Sequence, residues 1–212
     1  MLGTIHRDKE GENLLRQWLA GYKPDAVTVE FSHYGLEFRR LRGAVLQERV
    51  KVVVDEMAGE GVSADTRAVD ELLSYLDPSF EFSVASDYCE AHRIPIHLID
   101  LDRSSRAQLG KVNELLSPAN LRAMFTGPVP ERNRQERSLA RLSLERNINL
   151  TPYTKDMAMR DRHMSRRIGR LISRTGGRYL HICGWQHLRD PLGLYEFLAP
   201  HKAFIYDKTV CF

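Results

Sequence analysis

The chain has 212 residues, of which 28% are charged and 42% hydrophobic, with a formal charge of +3, an ordinary globular balance for one generous domain. Three cysteines, Cys89, Cys183 and Cys211, form no C-x-x-C pair, which argues against a disulfide framework or zinc knuckle and for reduced thiols in a cytosolic setting. No run approaches the roughly 20 apolar residues of a membrane span, and no charged-then-apolar leader opens the chain, so the expectation is a soluble cytoplasmic protein.

In chain order, residues 2–5 read as a very short first strand. Residues 12–22 place Leu14, Leu15, Trp18 and Leu19 on one helical face. Pro24-Asp25 breaks that helix before Ala26-Val27-Thr28-Val29, a buried-strand run that ends at Glu30. This β-α-β start predicts parallel strands with His6 and Glu30 at the same sheet edge. Residues 36–57 predict one long helix or a broken pair, with Gly43 as the weak point. Ser63-Ala64-Asp65 offers an N-cap for a helix to Leu76, which Asp77-Pro78 stops. Residues 80–92 are helical with Phe82, Ala85, Cys89 and Tyr88 as the inward candidates, and 94–99 form the next strand, running into Asp100-Leu101-Asp102-Arg103. From 104 to 150 the pattern is helical and arginine-rich, interrupted by Gly127-Pro128-Val129-Pro130; an inserted subdomain, a lid or a partner surface all fit. Thr154 or Asp156 caps a long helix that Gly176-Gly177 stops. Residues 179–183 are a strand, 192–198 a short helix and 203–206 a final strand. The fold class is α/β: one domain over 1–212 with a central mixed, largely parallel sheet flanked by helices.

Most of the basic excess lies between Arg103 and Arg174. Nucleic-acid binding calls for a basic face with stacking aromatics, and Phe125 and Tyr153 are the only aromatics in that stretch, which argues against it.

Two Gly-x-x-His tetrapeptides, Gly3-Thr4-Ile5-His6 and Gly184-Trp185-Gln186-His187, each follow a β-prone run. In an open α/β sheet the strand ends are where side chains converge on a ligand. Imidazoles meeting carboxylates there suit a divalent metal or general acid/base chemistry. A glycine three residues before each histidine would let backbone approach an ion or anion closely. Glu30 follows four buried-strand residues, where a charge is costly unless paired or liganded; the alternative is the start of a solvent-facing loop. His33 and Tyr34 nearby could join a site. Asp100, Asp102 and Arg103 repeat the strand-end logic, with Arg103 either neutralising an acid or clamping a substrate carboxylate. Glu81 opens a helix, where a carboxylate suits the positive end whether or not it has a function. Asp161 falls on the apolar stripe of Met157, Met164, Ile168, Leu171 and Ile172, with Arg160 beside it. That pair reads either as a structural ion pair or as a group that orients a ligand or a catalytic histidine. His181 alternates within its strand and reads as packed.

These residues resemble the TraB/PrgY family, which belongs with Tiki, GumN, erythromycin esterase and ChaN in one superfamily. The likeness rests on Gly3-Thr4-Ile5-His6, Pro24-Asp25 with Glu30, Glu81-Phe82 with Ala85, Ile99 to Arg103, Arg160-Asp161 with Met164, and Gly184 to Leu188. These blocks occur in the family's order across nearly the whole chain. The resemblance implies an α/β core, and for Tiki-like members metal-dependent proteolysis supported by manganese or cobalt. It implies His6, His187, Glu30 and Glu81 as metal ligands or acid/base groups, with Arg103 and Arg160 stabilising negative charge on a substrate or intermediate.

The leading expectation is therefore a metal-dependent hydrolase of a peptide or another amide or ester. His6, His187 and a glutamate would hold Mn²⁺ or Co²⁺ in preference to Zn²⁺, although imidazole and carboxylate ligands alone do not choose among them. The second glutamate would take a proton from bound water, and Asp161 would orient. A non-catalytic module that sequesters a peptide, haem or metal is the alternative, and a toxin- or immunity-type interaction protein a third reading. The sequence is compatible with a homo-oligomer.

Overall fold

Five short apolar segments pair into one sheet in a computed structural model that describes residues 1–128, 132–189, 192–198 and 210–211. They are β1 (Leu2–Thr4), β2 (Ala26–Val29), β3 (Ile96–Leu98), β4 (Tyr179–Gly184) and β5 (Val210–Cys211), in the spatial order β3-β2-β4-β1-β5. Every pairing is parallel rather than mixed, with Thr4 beside Gly184 and Val29 beside Ile182. A parallel sheet is covered on both faces, which explains why Ala26–Val29 is buried at all four positions instead of alternating. The strand expected at 203–206 lies outside the described residues.

Two compact units divide the chain. The first comprises 1–32, 80–101 and 132–212; the second comprises 33–79 and 102–131. The first unit contains the sheet with α1 (Lys9–Tyr22), α4 (Phe80–His92), α8 (Arg132–Arg146), α9 (Lys155–Thr175) and α10 (Leu194–Leu198). On α1, Leu15 and Leu19 are fully buried while Leu14 and Trp18 are half-buried. Asp8 caps the helix start by accepting from the Glu10 N–H, and Lys23 ends it in the left-handed region at φ 50°. A Cβ on Gly11 would stand 2.8 Å from the Phe80 ring, so glycine lets α1 and α4 approach. Thr154 caps α9 through its bond from the Met157 N–H, and Gly176 closes it. The apolar stripe of α9 packs with Met1, Ile99, Cys183, Leu188 and Leu194.

The second unit is helical. It holds α2 (His33–Gly59), α3 (Thr66–Leu76), α5 (Asp102–Leu109), α6 (Val112–Leu115) and α7 (Pro118–Thr126). Phe38, Leu46, Val50, Met57, Leu72 and Phe125 are among its core residues. Helix α2 runs unbroken through Gly43, where a Cβ would come within 3.0 Å of the Leu76 carbonyl. Glycine there serves close packing of α2 on the end of α3 and makes no break. The arginine-rich stretch 104–150 is not one body: α5 to α7 belong to the second unit, and α8 to the first. Among the described residues no helix is long and apolar enough to cross a membrane.

Candidate functional site

Four parallel strands end side by side in the first unit, and each delivers a polar residue. His6 follows β1 by two positions, Glu30 follows β2, Asp100 follows β3 by two, and His187 lies in a 3₁₀ turn (Trp185–Leu188) directly after β4. Parallel strands put these carboxyl ends on one side of the sheet. The cleft there measures about 170 Å³ and is lined by His6, Glu30, Glu136, Met157, Arg160, Gly184, Trp185, Gln186 and His187.

Glu30 is the hub. Its Oε1 accepts from Arg160 in a short contact and lies 3.0 Å from His187 Nε2, while its Oε2 accepts from the Gly184 N–H at 2.6 Å. Burial alone would raise its pKa, but the charges of His187 and Arg160 and the bond from His187 hold it well below the usual carboxylate range. Arg160 also grips Asp100 with two bonds, Nε at 2.9 Å and Nη2 at 2.8 Å. Its pKa is raised: desolvation opposes the charge, and Glu30 and Asp100 more than restore it. Arg160 Nη1 keeps no hydrogen-bond partner among the described residues.

His187 is held from both sides. Nε2 faces Glu30, and Nδ1 makes a short contact with Asp161, whose other oxygen accepts from Tyr153 at 2.6 Å. A carboxylate on each nitrogen requires both nitrogens to donate, which is the imidazolium form. Burial disfavours that charge, yet the charge of Glu30 and the bonds to Asp161 and Glu30 push the pKa up to about 10.

His6 is different, with its side chain 52% exposed and its Nδ1 2.7 Å from Glu81 Oε1. Glu81 sits in the first turn of α4, almost wholly buried, and also accepts from the Thr4 hydroxyl at 2.9 Å. Desolvation opposes a proton on His6, but the charge and hydrogen bond of Glu81 raise its pKa to about 9. Its Nε2 has no hydrogen-bond partner among the described residues and borders the cleft.

Both motif glycines have steric reasons. A Cβ on Gly184 would stand 2.7 Å from His6 Nε2 and 3.5 Å from Glu30 Oε2. The backbone does approach an anion there, and that anion is the protein's own Glu30. A Cβ on Gly3 would meet Trp185 Cα at 3.1 Å and Leu188 Cδ1 at 3.0 Å, so glycine seats β1 against the turn carrying His187.

Of the residues singled out from sequence, Glu30, Asp100, Arg160, Asp161 and His187 form one linked set of ion pairs, and His6 with Glu81 forms a separate pair on the same cleft. Arg103 lies exposed on α5 in the second unit, and within the first unit Arg160 takes the acid at Asp100. Asp102 caps α2 by accepting from the Tyr34 N–H at 2.9 Å, and Tyr34 lies under Arg106, both within the second unit. His181 is the packed residue its alternation suggests, with Nδ1 3.0 Å from the Thr28 hydroxyl and its pKa pushed down to about 3 by burial. Glu136 and Tyr153 are members that sequence reasoning misses; Glu136 lies on α8 with no apolar periodicity to mark it. That helix is tied down by Arg137, which bonds Asp8 at 2.7 Å and Glu10 at 2.7 Å.

The donors do not fit a resident metal as arranged. Both Glu30 oxygens and both His187 nitrogens already have protein partners, and among the described residues no group of three or more His, Cys, Asp or Glu side chains is placed to hold an ion. No family model, curated protein or solved structure matches the chain.

Proposed function

We propose that the chain is a hydrolase of amide or ester bonds in a peptide or small molecule, working by histidine–carboxylate acid/base chemistry. The observation that carries this reading is His6: one nitrogen is fixed on buried Glu81 while the other opens on a cleft beside Arg160. In this mechanism neutral His6 keeps its Nδ1–H on Glu81 and accepts a proton from water at Nε2. The water oxygen bonds to the substrate carbonyl carbon, and Arg160 Nη1 donates to the oxygen that becomes negative. Protonated His6 then returns the proton to the leaving nitrogen or oxygen as its bond to carbon breaks. His187, Glu30, Asp100 and Asp161 hold Arg160 and the Gly184 backbone in place. The likeness to the Tiki and erythromycin esterase group supports hydrolysis as the reaction class. Mn²⁺ or Co²⁺ at Glu30 and His187 would have to displace Arg160 and the imidazolium proton, which favours turnover without added metal.

The test is a panel of fluorogenic peptides and esters assayed with chelator, with Mn²⁺ and with neither. Expected is hydrolysis in chelator that falls by about 10²- to 10⁴-fold in His6→Ala. Strict dependence on Mn²⁺ would replace this mechanism with the metal one, and an inactive wild type would leave the sequestering module.

A further inference from the structure

Arg166, Arg170 and Arg174 recur at every fourth position of α9, which projects them within about 80° of one another along about 12 Å of helix axis. All three are exposed, and with Gly169 and Ser173 they line a trough of about 440 Å³. The opposite face of α9 is committed to the core through Met164, Ile168, Leu171 and Ile172. Some arginines elsewhere sit against acids, Arg16 with Glu12, Arg122 with Glu60 and Arg178 with Asp25, while exposed Arg93, Arg103 and Arg146 are scattered singly along the chain. The three on this ridge have no hydrogen bond, ion pair or ring partner among the described residues. The charges of Arg166 and Arg170 reach neighbouring His163, whose pKa is lowered by burial first and then by Arg167, with Asp100 opposing by more than either Arg166 or Arg170 adds.

We propose that this ridge docks on the phosphate backbone of double-stranded nucleic acid. Three adjacent uncompensated guanidinium groups repel one another, and a polyanion converts that repulsion into attraction while its condensed counterions are released. A duplex offers one charge per about 1.7 Å of axis, so about 12 Å of ridge meets more phosphates than it needs. The guanidinium fork matches phosphate oxygens. Helix α9 contains no aromatic residue, and single-strand binding leans on stacking, whereas duplex phosphates require none. That distinction removes the objection drawn from scarce aromatics in the sequence. A membrane-surface helix would expose an apolar face to lipid, but the apolar face of α9 is buried.

The full chain is titrated into a labelled duplex of about 25 base pairs, and anisotropy is followed from about 50 to 200 mM salt. Three phosphate contacts predict a log–log slope near −3 and an affinity loss of about 40-fold over that range. The Arg166→Gln/Arg170→Gln/Arg174→Gln variant should lose most of that salt dependence and bind at least about tenfold more weakly at low salt. Its unfolding midpoint should match the wild type, since all three side chains are exposed and glutamine keeps helix propensity. The proposal is overturned if the wild type fails to bind at about 50 mM salt, or if vesicles of anionic phospholipid are bound and duplex is not. It also fails if an Arg16→Gln/Arg122→Gln/Arg178→Gln control weakens binding as much, which would reduce the effect to net charge.

Discussion

Asp161→Asn tests whether His187 is a held imidazolium. The His187 side chain is 5% exposed and Asp161 has no exposure. Raising the His187 pKa from 6.5 to about 10 corresponds to about 5 kcal/mol of differential stabilisation of the charged form. The amide removes one of two anionic partners, so about 2 to 3 kcal/mol of that should be lost near neutral pH. A folded pKa above the unfolded one gives a contribution that is full below the unfolded value of 6.5 and vanishes as pH climbs through about 10. Urea unfolding of both proteins between about pH 6 and 10 should therefore show a gap that is widest at the acid end and narrows with alkalinity. A gap of the same size at both ends would mean that Asp161 acts through packing or the Tyr153 bond alone, and the charge argument would be wrong.

Gly184→Ala brings a methyl within 2.7 Å of His6 Nε2; the half-exposed ring can swing away, so we expect activity to fall by at least about 10²-fold while the urea midpoint changes little. Glu81→Gln removes the anion that raises His6, so the His6 titration read by NMR should move from about 9 towards 6.5 and the alkaline rise in rate should move down with it. Arg160→Lys leaves Glu30 and Asp100, both nearly buried, sharing a point charge in place of a fork. Stability should drop by about 3 kcal/mol in urea unfolding, and Arg160→Gln should cost at least as much.

The strand ends were legible because buried parallel strands are nearly continuous apolar runs, so Glu30 and Asp100 stand out where the run stops. Helix boundaries at Asp65, Thr154 and Gly176 followed from capping chemistry that is local. What the sequence could not reveal was pairing across distance. Arg103 adjoins Asp100 and Asp102 in the chain, yet Arg160, sixty positions on, takes Asp100, because α9 runs past the end of β3. Gly184 invited the idea of a foreign ion, when a carboxylate of the same chain fills that role. Glu136 had no signal, since its helix is polar nearly all round and only tertiary packing turns one side of it towards the cleft. Gly43 misled because a glycine within a helix can mark close packing as well as a break.

The junctions between the two units have a consequence for the chemistry. Three of the four places where the chain crosses between the units, after Ser32, before Phe80 and after Leu101, lie within two residues of Glu30, Glu81 and Asp100. Those three tethers thus begin beside an acid that grips Arg160 or His6. A substitution at Ser32, Phe80 or Leu101 therefore falls one or two positions in sequence from the charges on which the proposed proton transfer would depend.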